Sequence, residues 1–134
     1  MTFQVVHQHG LLIVSGPAHD PQRKHLYVIL TDSKNDPATN LLSVLMVPIC
    51  SVVAGMYHDP ACILQIGDHA FIKHDSYANY YRAIIEPVDK LRKGVTSGHI
   101  VPKGAVSDAA FRKLCKGLFD SKRAAPKHLQ FCRH

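Results

Sequence analysis

Short apolar runs fill the first hundred positions and a basic amphipathic segment follows, which together predict a mainly β domain with a C-terminal α-helix, an α+β fold. The runs are nearly continuous rather than alternating, so the strands are expected to be buried on both faces or wrapped around a small core. Gly and Pro separate them at close intervals, as in a barrel or a strongly bent sheet. About five to seven strands and one or two helices are expected on that pattern.

Taken in order, GLLIVSG at 10–16 and HLYVIL at 25–30 predict the first two strands, joined through Gly16-Pro17-Ala18-His19-Asp20-Pro21. SKNDPATN at 33–40 predicts a loop, and LLSVLMVPI at 41–49 a third strand. A turn at His58-Asp59-Pro60 leads to a fourth run, ACILQI at 61–66. GDHAFIKHD then connects to a fifth strand, SYANYYRAII at 76–85, with Phe71 and Ile72 expected to pin the connection to the core. HIV at 99–101 is a short sixth. After Lys103 the texture changes. Ser107 is suited to cap a helix start and Asp108 to its positive end. Phe111, Leu114, Cys115 and Leu118 recur on one helical face, with Arg112, Lys113 and Lys116 elsewhere. Pro126 is placed to open a last helical piece anchored by Leu129 and Phe131.

The 134 residues fit one domain, strand-rich over 1–103 and basic and helical over 104–134. No apolar run is long enough to span a membrane, and the N-terminus lacks the basic region of a signal peptide, so a cytoplasmic protein is expected. Cys50, Cys62, Cys115 and Cys132 form no CxxC pair, which argues against a zinc knuckle or a redox motif. Charge is strongly segregated: residues 1–88 hold five Lys and Arg against seven Asp and Glu, residues 89–134 eleven against three. Such a basic third favours a phosphate-bearing or acidic partner, or else serves as a solvated helix face.

Ten histidines invite a metal reading. His7 and His9 would face the same way on a strand, but a site needs a third ligand, and His69, His74 and Asp75 are only candidates for it. No metal and no other cofactor is therefore expected. Arg23-Lys24-His25, at the entrance to LYVIL, offers cations for a phosphodiester and an imidazole for proton transfer. Cys50, followed by Ser51 at the end of a strong strand, is a candidate nucleophile or simply a small buried side chain.

The order of segments resembles the MazF/PemK-like toxins. The likeness rests on a basic residue leading into an apolar strand (QRKHLYVILTD, 22–32), a strand ending in Pro-Ile-x-Ser (LMVPICS, 45–51), and a basic C-terminal helix. The resemblance implies a small SH3-like barrel and a metal-independent endoribonuclease acting on single-stranded RNA, homodimeric and neutralised by an antitoxin. The family's arginine falls on Lys24, with Arg23 beside it, and its threonine on Cys50, followed by Ser51. Lysine lacks the bidentate fork of arginine, and a thiol donates more weakly than a hydroxyl.

The leading expectation is thus a PemK/MazF-like protein that binds single-stranded RNA and can cleave it, with Arg23, Lys24, His25, Cys50 and Ser51 as the catalytic set. Tyr77, Tyr80, Tyr81 and Arg82, with the rim residues His69 and His74, would contact the RNA. The alternative is a non-catalytic module on the same fold, recognising nucleic acid or protein. A histidine-based metal hydrolase ranks third.

Overall fold

The computed structural model describes residues 4–14 and 23–133. The turn expected at Gly16–Pro21, together with Ser15 and Gln22, lies outside the described residues.

The chain forms a curled, barrel-like antiparallel sheet with helices on both faces. Its strands are β1 (His9–Val14), β2 (Lys24–Ile29), β3 (Lys34–Asp36), β4 (Leu41–Ser51), β5 (Ile63–Leu64), β6 (Ser76–Ala78), β7 (Ile84–Pro87) and β8 (Ile100–Ala105). The helices are α1 (Val88–Ser97), α2 (Asp108–Asp120) and α3 (Pro126–Arg133). The sheet order is β5-β6-β4-β2-β1-β8, with β3 and β7 also paired to β4. Eleven residues long, β4 is the spine: β7 and β3 pair along its first half, and β2 and β6 along its second. Among the described residues no helix is long and apolar enough to cross a membrane.

The continuous apolar runs are explained by burial on both faces. Along β2, Leu26 and Val28 enter a core shared with Leu114, Leu118 and Phe131 of α2 and α3, while Tyr27 and Ile29 enter a second core under α1. Along β4, Leu45, Val47 and Ile49 face the first core, and Val44 and Met46 the second. Each strand thereby satisfies two hydrophobic layers at once, and polar alternation never arises.

The fold is the expected α+β one, and among the described residues it has eight strands and three α-helices against about five to seven and one or two expected. The additional strand β3 lies inside the loop expected at 33–40. Asp36 closes that hairpin: its carbonyl accepts from Asn40 N at 2.7 Å and its carboxylate from Ala38 N at 3.1 Å. Helix α1 hides behind Lys90, Arg92, Lys93 and Gly94, yet Val88, Leu91 and Val95 hold its inner stripe. Gly98, at φ 85°, ends it in the left-handed conformation that favours glycine. The helix lies within the part, residues 1–103, expected to be strand-rich.

The run at 76–85 is not one strand. β6 pairs with β4 at Ile49–Ser51 and β7 at Ser43–Met46, leaving Val47 and Pro48 between them. Pro48 has no N–H to extend a ladder. The chain detours there through a 3-10 turn, Tyr80–Arg82, with Asn79 N donating to Pro48 O at 2.9 Å. The run at 61–66 pairs over Ile63–Leu64 alone, because Asp68 folds Gln65–Asp68 into a turn by accepting from Gln65 N at 2.8 Å.

The C-terminal expectations hold. Ser107 caps α2 by accepting from Ala110 N at 3.1 Å, and Leu114 and Leu118 are buried. Phe131 is buried in α3, with Leu129 packed beside it. In the 67–75 connection Ile72 is buried, but Phe71 remains 44% exposed.

Candidate functional site

β2 begins where β4 ends, since the two strands are antiparallel. Their register closes at Leu26 opposite Ile49, so His25 and Cys50 are the next residues outward on neighbouring strands. Cys50 in turn pairs with Tyr77 of β6. Side chains alternate along strands, so His25, Cys50 and Tyr77 leave the sheet on one face, beyond the α1-side core.

The positive charges of Arg23 and Arg82 both act on this rim. Burial lowers the His25 pKa from its ordinary value, and the positive charges of Arg23 and Arg82 lower it further. Burial pushes the Cys50 thiol up, partly offset by hydrogen bonds from Asn79 and Tyr77 and by Arg82 and Arg23. Asn79 Nδ2 lies 3.9 Å from Cys50 Sγ. Burial and the neighbouring Cys50 raise the Tyr77 phenol. The rim therefore holds a neutral imidazole and a protonated thiol between two arginines near neutral pH.

Lys24 and Ser51 belong to the other face. Lys24 pairs with Val14, and its side chain alternates away from His25. Ser51, next to Cys50, meets His74 instead, with Oγ and Nε2 2.6 Å apart. The five residues expected to act together thus divide: Arg23, His25 and Cys50 share one rim, Lys24 and Ser51 do not join it.

The aromatic set divides as well. Tyr81 is 70% exposed and Arg82 is exposed, so both are open to a ligand. Tyr80 is fully buried, its hydroxyl donating to Leu114 O at 2.7 Å, and cannot stack on a base. His69 is also not at the rim. It is buried; its Nε2 lies 3.2 Å from Gly104 O and its Nδ1 accepts from Phe71 N at 2.9 Å, which ties the 67–73 segment to β8.

The metal pair fails for a backbone reason. Gln8 adopts φ 77°, which breaks the alternation between His7 and His9. His7 turns to Asp32, 2.5 Å away, and stacks on Phe111, while His9 is exposed. Among the described residues no three His, Cys, Asp or Glu side chains are grouped to hold a metal ion.

Beside the rim lies a cleft of about 160 Å³ lined by Tyr57, Asp59, Tyr77, Asn79, Tyr81 and Arg123. Only Tyr77 and Tyr81 were expected there. The others had weak signals: Tyr57 and Asp59 flank a His in a turn, and Arg123 sits in the basic tail. A larger hollow, about 500 Å³, opens between the Leu30–Lys34 segment and helices α2 and α3, away from every expected site residue. Burial pushes its Cys132 thiol up to about 11 and raises Cys115 too, so neither is a ready nucleophile.

The depressed histidines give a pH dependence with a definite sign. Burial lowers His128 as well as His25, with Lys127 adding to the effect, and His128 Nδ1 has no hydrogen-bond partner. A histidine depressed in the folded state binds fewer protons than in the unfolded chain. Stability is then full above about pH 6.5 and falls as pH drops through that value towards the folded pKa. The urea midpoint is expected to be lower at about pH 5.5 than at about pH 7.5, with a smaller difference in His128→Leu. Equal slopes in both proteins would exclude His128 as a source.

Compared with known protein families, with curated proteins and with solved structures, the chain matches none.

Proposed function

We propose that the chain is a PemK/MazF-like protein with an SH3-like barrel that binds single-stranded RNA along the Arg23–Arg82 rim and cleaves it there without a metal ion. What supports this reading is the strand register that sets His25 beside Cys50, with the positive charges of Arg23 and Arg82 acting on both. Guanidinium forks match phosphate oxygens and the extra charge of a phosphorane. A neutral imidazole can take the proton from a ribose 2′-hydroxyl as its oxygen attacks phosphorus. The P–O5′ bond then breaks, leaving a 2′,3′-cyclic phosphate, and the Cys50 thiol can return a proton to the departing 5′-oxygen.

One observation favours the second reading, a non-catalytic RNA-binding module. Burial holds the Cys50 thiol above its ordinary pKa, and such a group gives up a proton poorly. Mixed-sequence RNA incubated with the protein in EDTA separates the two. Cleavage to cyclic-phosphate ends that is lost in His25→Ala supports the enzyme. Intact RNA that is tightly bound supports the module, and RNA neither cut nor bound rejects both.

A homodimer, a cognate antitoxin and a cytoplasmic setting belong to the same proposal. Leu41 and Leu42, 50% and 53% exposed beside the β3–β4 hairpin, are available for a protein interface.

A further inference from the structure

We infer that the cleft beside the rim is a pocket for a single nucleobase, with guanine as the base it prefers. This deepens the RNA-binding reading and rests on it for the identity of the polymer. Four features carry the inference.

The walls are aromatic and exposed. Tyr57 is 68% exposed and Tyr81 70%, and large aromatic faces left in water at a concave site are stacking surfaces. One wall is already organised, because the Arg123 guanidinium lies 5.0 Å from the centre of the Tyr57 ring. The floor is fixed too, with the Tyr77 ring packed against His58 at 5.6 Å.

The second feature is a buried carboxylate at the cleft. Asp59 is 4% exposed; its Oδ1 accepts from Ala61 N at 3.0 Å and its Oδ2 from Ser121 Oγ at 2.5 Å. Each carboxylate oxygen has a further lone pair, so Asp59 can still accept from a ligand and can donate nothing. Guanine alone among the four bases presents two adjacent donors, N1–H and the N2 amino group. Adenine and cytosine set an acceptor nitrogen beside their amino group, and uracil flanks its single N–H with two carbonyls.

The third is the anchoring of the basic tail. Ser121 Oγ, bonded to Asp59, accepts in turn from Arg123 N at 3.0 Å. The carboxylate that would read the base also holds the backbone that carries the stacking cation. The last is adjacency: Tyr77 and Asn79 line the cleft, Tyr77 is the cross-strand partner of Cys50, and Asn79 Nδ2 lies 3.9 Å from the Cys50 sulfur. A base in the pocket would hold its own phosphate beside the arginines.

Guanosine, which carries no phosphate, is the probe that separates this inference from the rim reading. Titrated against the protein, it is expected to give saturable shifts of the Tyr57, Tyr77 and Tyr81 ring resonances. Adenosine, cytidine and uridine should need at least about tenfold higher concentration. Tyr81→Ala and Arg123→Ala, both at exposed positions, should each weaken guanosine by about tenfold. Shifts of equal strength from all four nucleosides, shifts unchanged by Tyr81→Ala, or no shifts at all would overturn the pocket. If guanosine fails while an oligonucleotide still binds through Arg82, the pocket falls and the rim reading stands. If guanosine binds and no oligonucleotide does, the reverse holds.

Discussion

Tyr80→Ala is expected to cost about 3–5 kcal/mol of stability, enough to unfold much of the population of a marginal domain. Tyr80 is the largest fully buried side chain, and it joins the β4–β6 region to α2. Its ring plugs the place where the chain leaves the sheet beside Pro48. Gly117 of α2 is held close against it: a Cβ added there would collide with the Tyr80 hydroxyl, and would meet Cys62 Cβ at 2.9 Å and Ala61 O at 3.1 Å. Gly inside a helix ordinarily costs about 1 kcal/mol relative to Ala, so its presence in α2 reflects that approach rather than helix propensity. Tyr80→Phe removes one hydrogen bond to a carbonyl already within a helix, and about 1 kcal/mol is expected. Urea unfolding of the two variants tests the account. A small effect of Tyr80→Ala, close to that of Tyr80→Phe, would mean that the ring is not the keystone of this core.

Removing both rim arginines is expected to weaken RNA binding by more than about tenfold and to flatten its salt dependence. Each phosphate neutralised on a single strand contributes about 0.7 to the slope of log affinity against log salt. Arg23→Ala with Arg82→Ala should therefore lower that slope by about 1.4, while Lys24→Ala should leave it nearly unchanged. The contrast follows from strand alternation, since Lys24 lies on the opposite face from His25 and Cys50. Filter binding at several salt concentrations measures all three proteins. A loss in Lys24→Ala equal to that in the double variant would move the RNA path to the face of Ser51 and His74.

How much of this was legible in the sequence depended on whether a feature was local. The strands at 25–30 and 41–49, the Ser107 cap and the α2 face were readable because periodicity and capping act within a few residues. The basic entrance and Cys50 were both singled out, but which cation shares a face with the thiol depends on register, and a resemblance in segment order could only put the cation at Lys24 with Arg23 beside it. SYANYYRAII read as one strand because its composition suits a strand. The interruption arises from Pro48, more than thirty residues away on the partner strand. His69 looked like a rim residue because Gly104 O, the partner that ties it down beyond its local bond to Phe71 N, is brought to it only by the fold. Tyr57 and Asp59 come from one turn and Arg123 from the basic tail, and no spacing rule connects the two segments.

The sheet order has a consequence during translation. β1 sits between β2 and β8, so the first strand waits for the Ile100–Ala105 segment before its outer edge is covered. Ribosomes add about 5–20 residues per second, so roughly 5–20 seconds separate the emergence of the two partners. The rim is complete sooner, because β2, β4, β6 and the Tyr80–Arg82 turn all precede residue 83. The residues of the rim have then all been made, while β1 still exposes an unpaired edge. In that interval the hazard is edge-to-edge association with another nascent chain, and β8, with Pro102 and Lys103 in its sequence, is the strand that ends it.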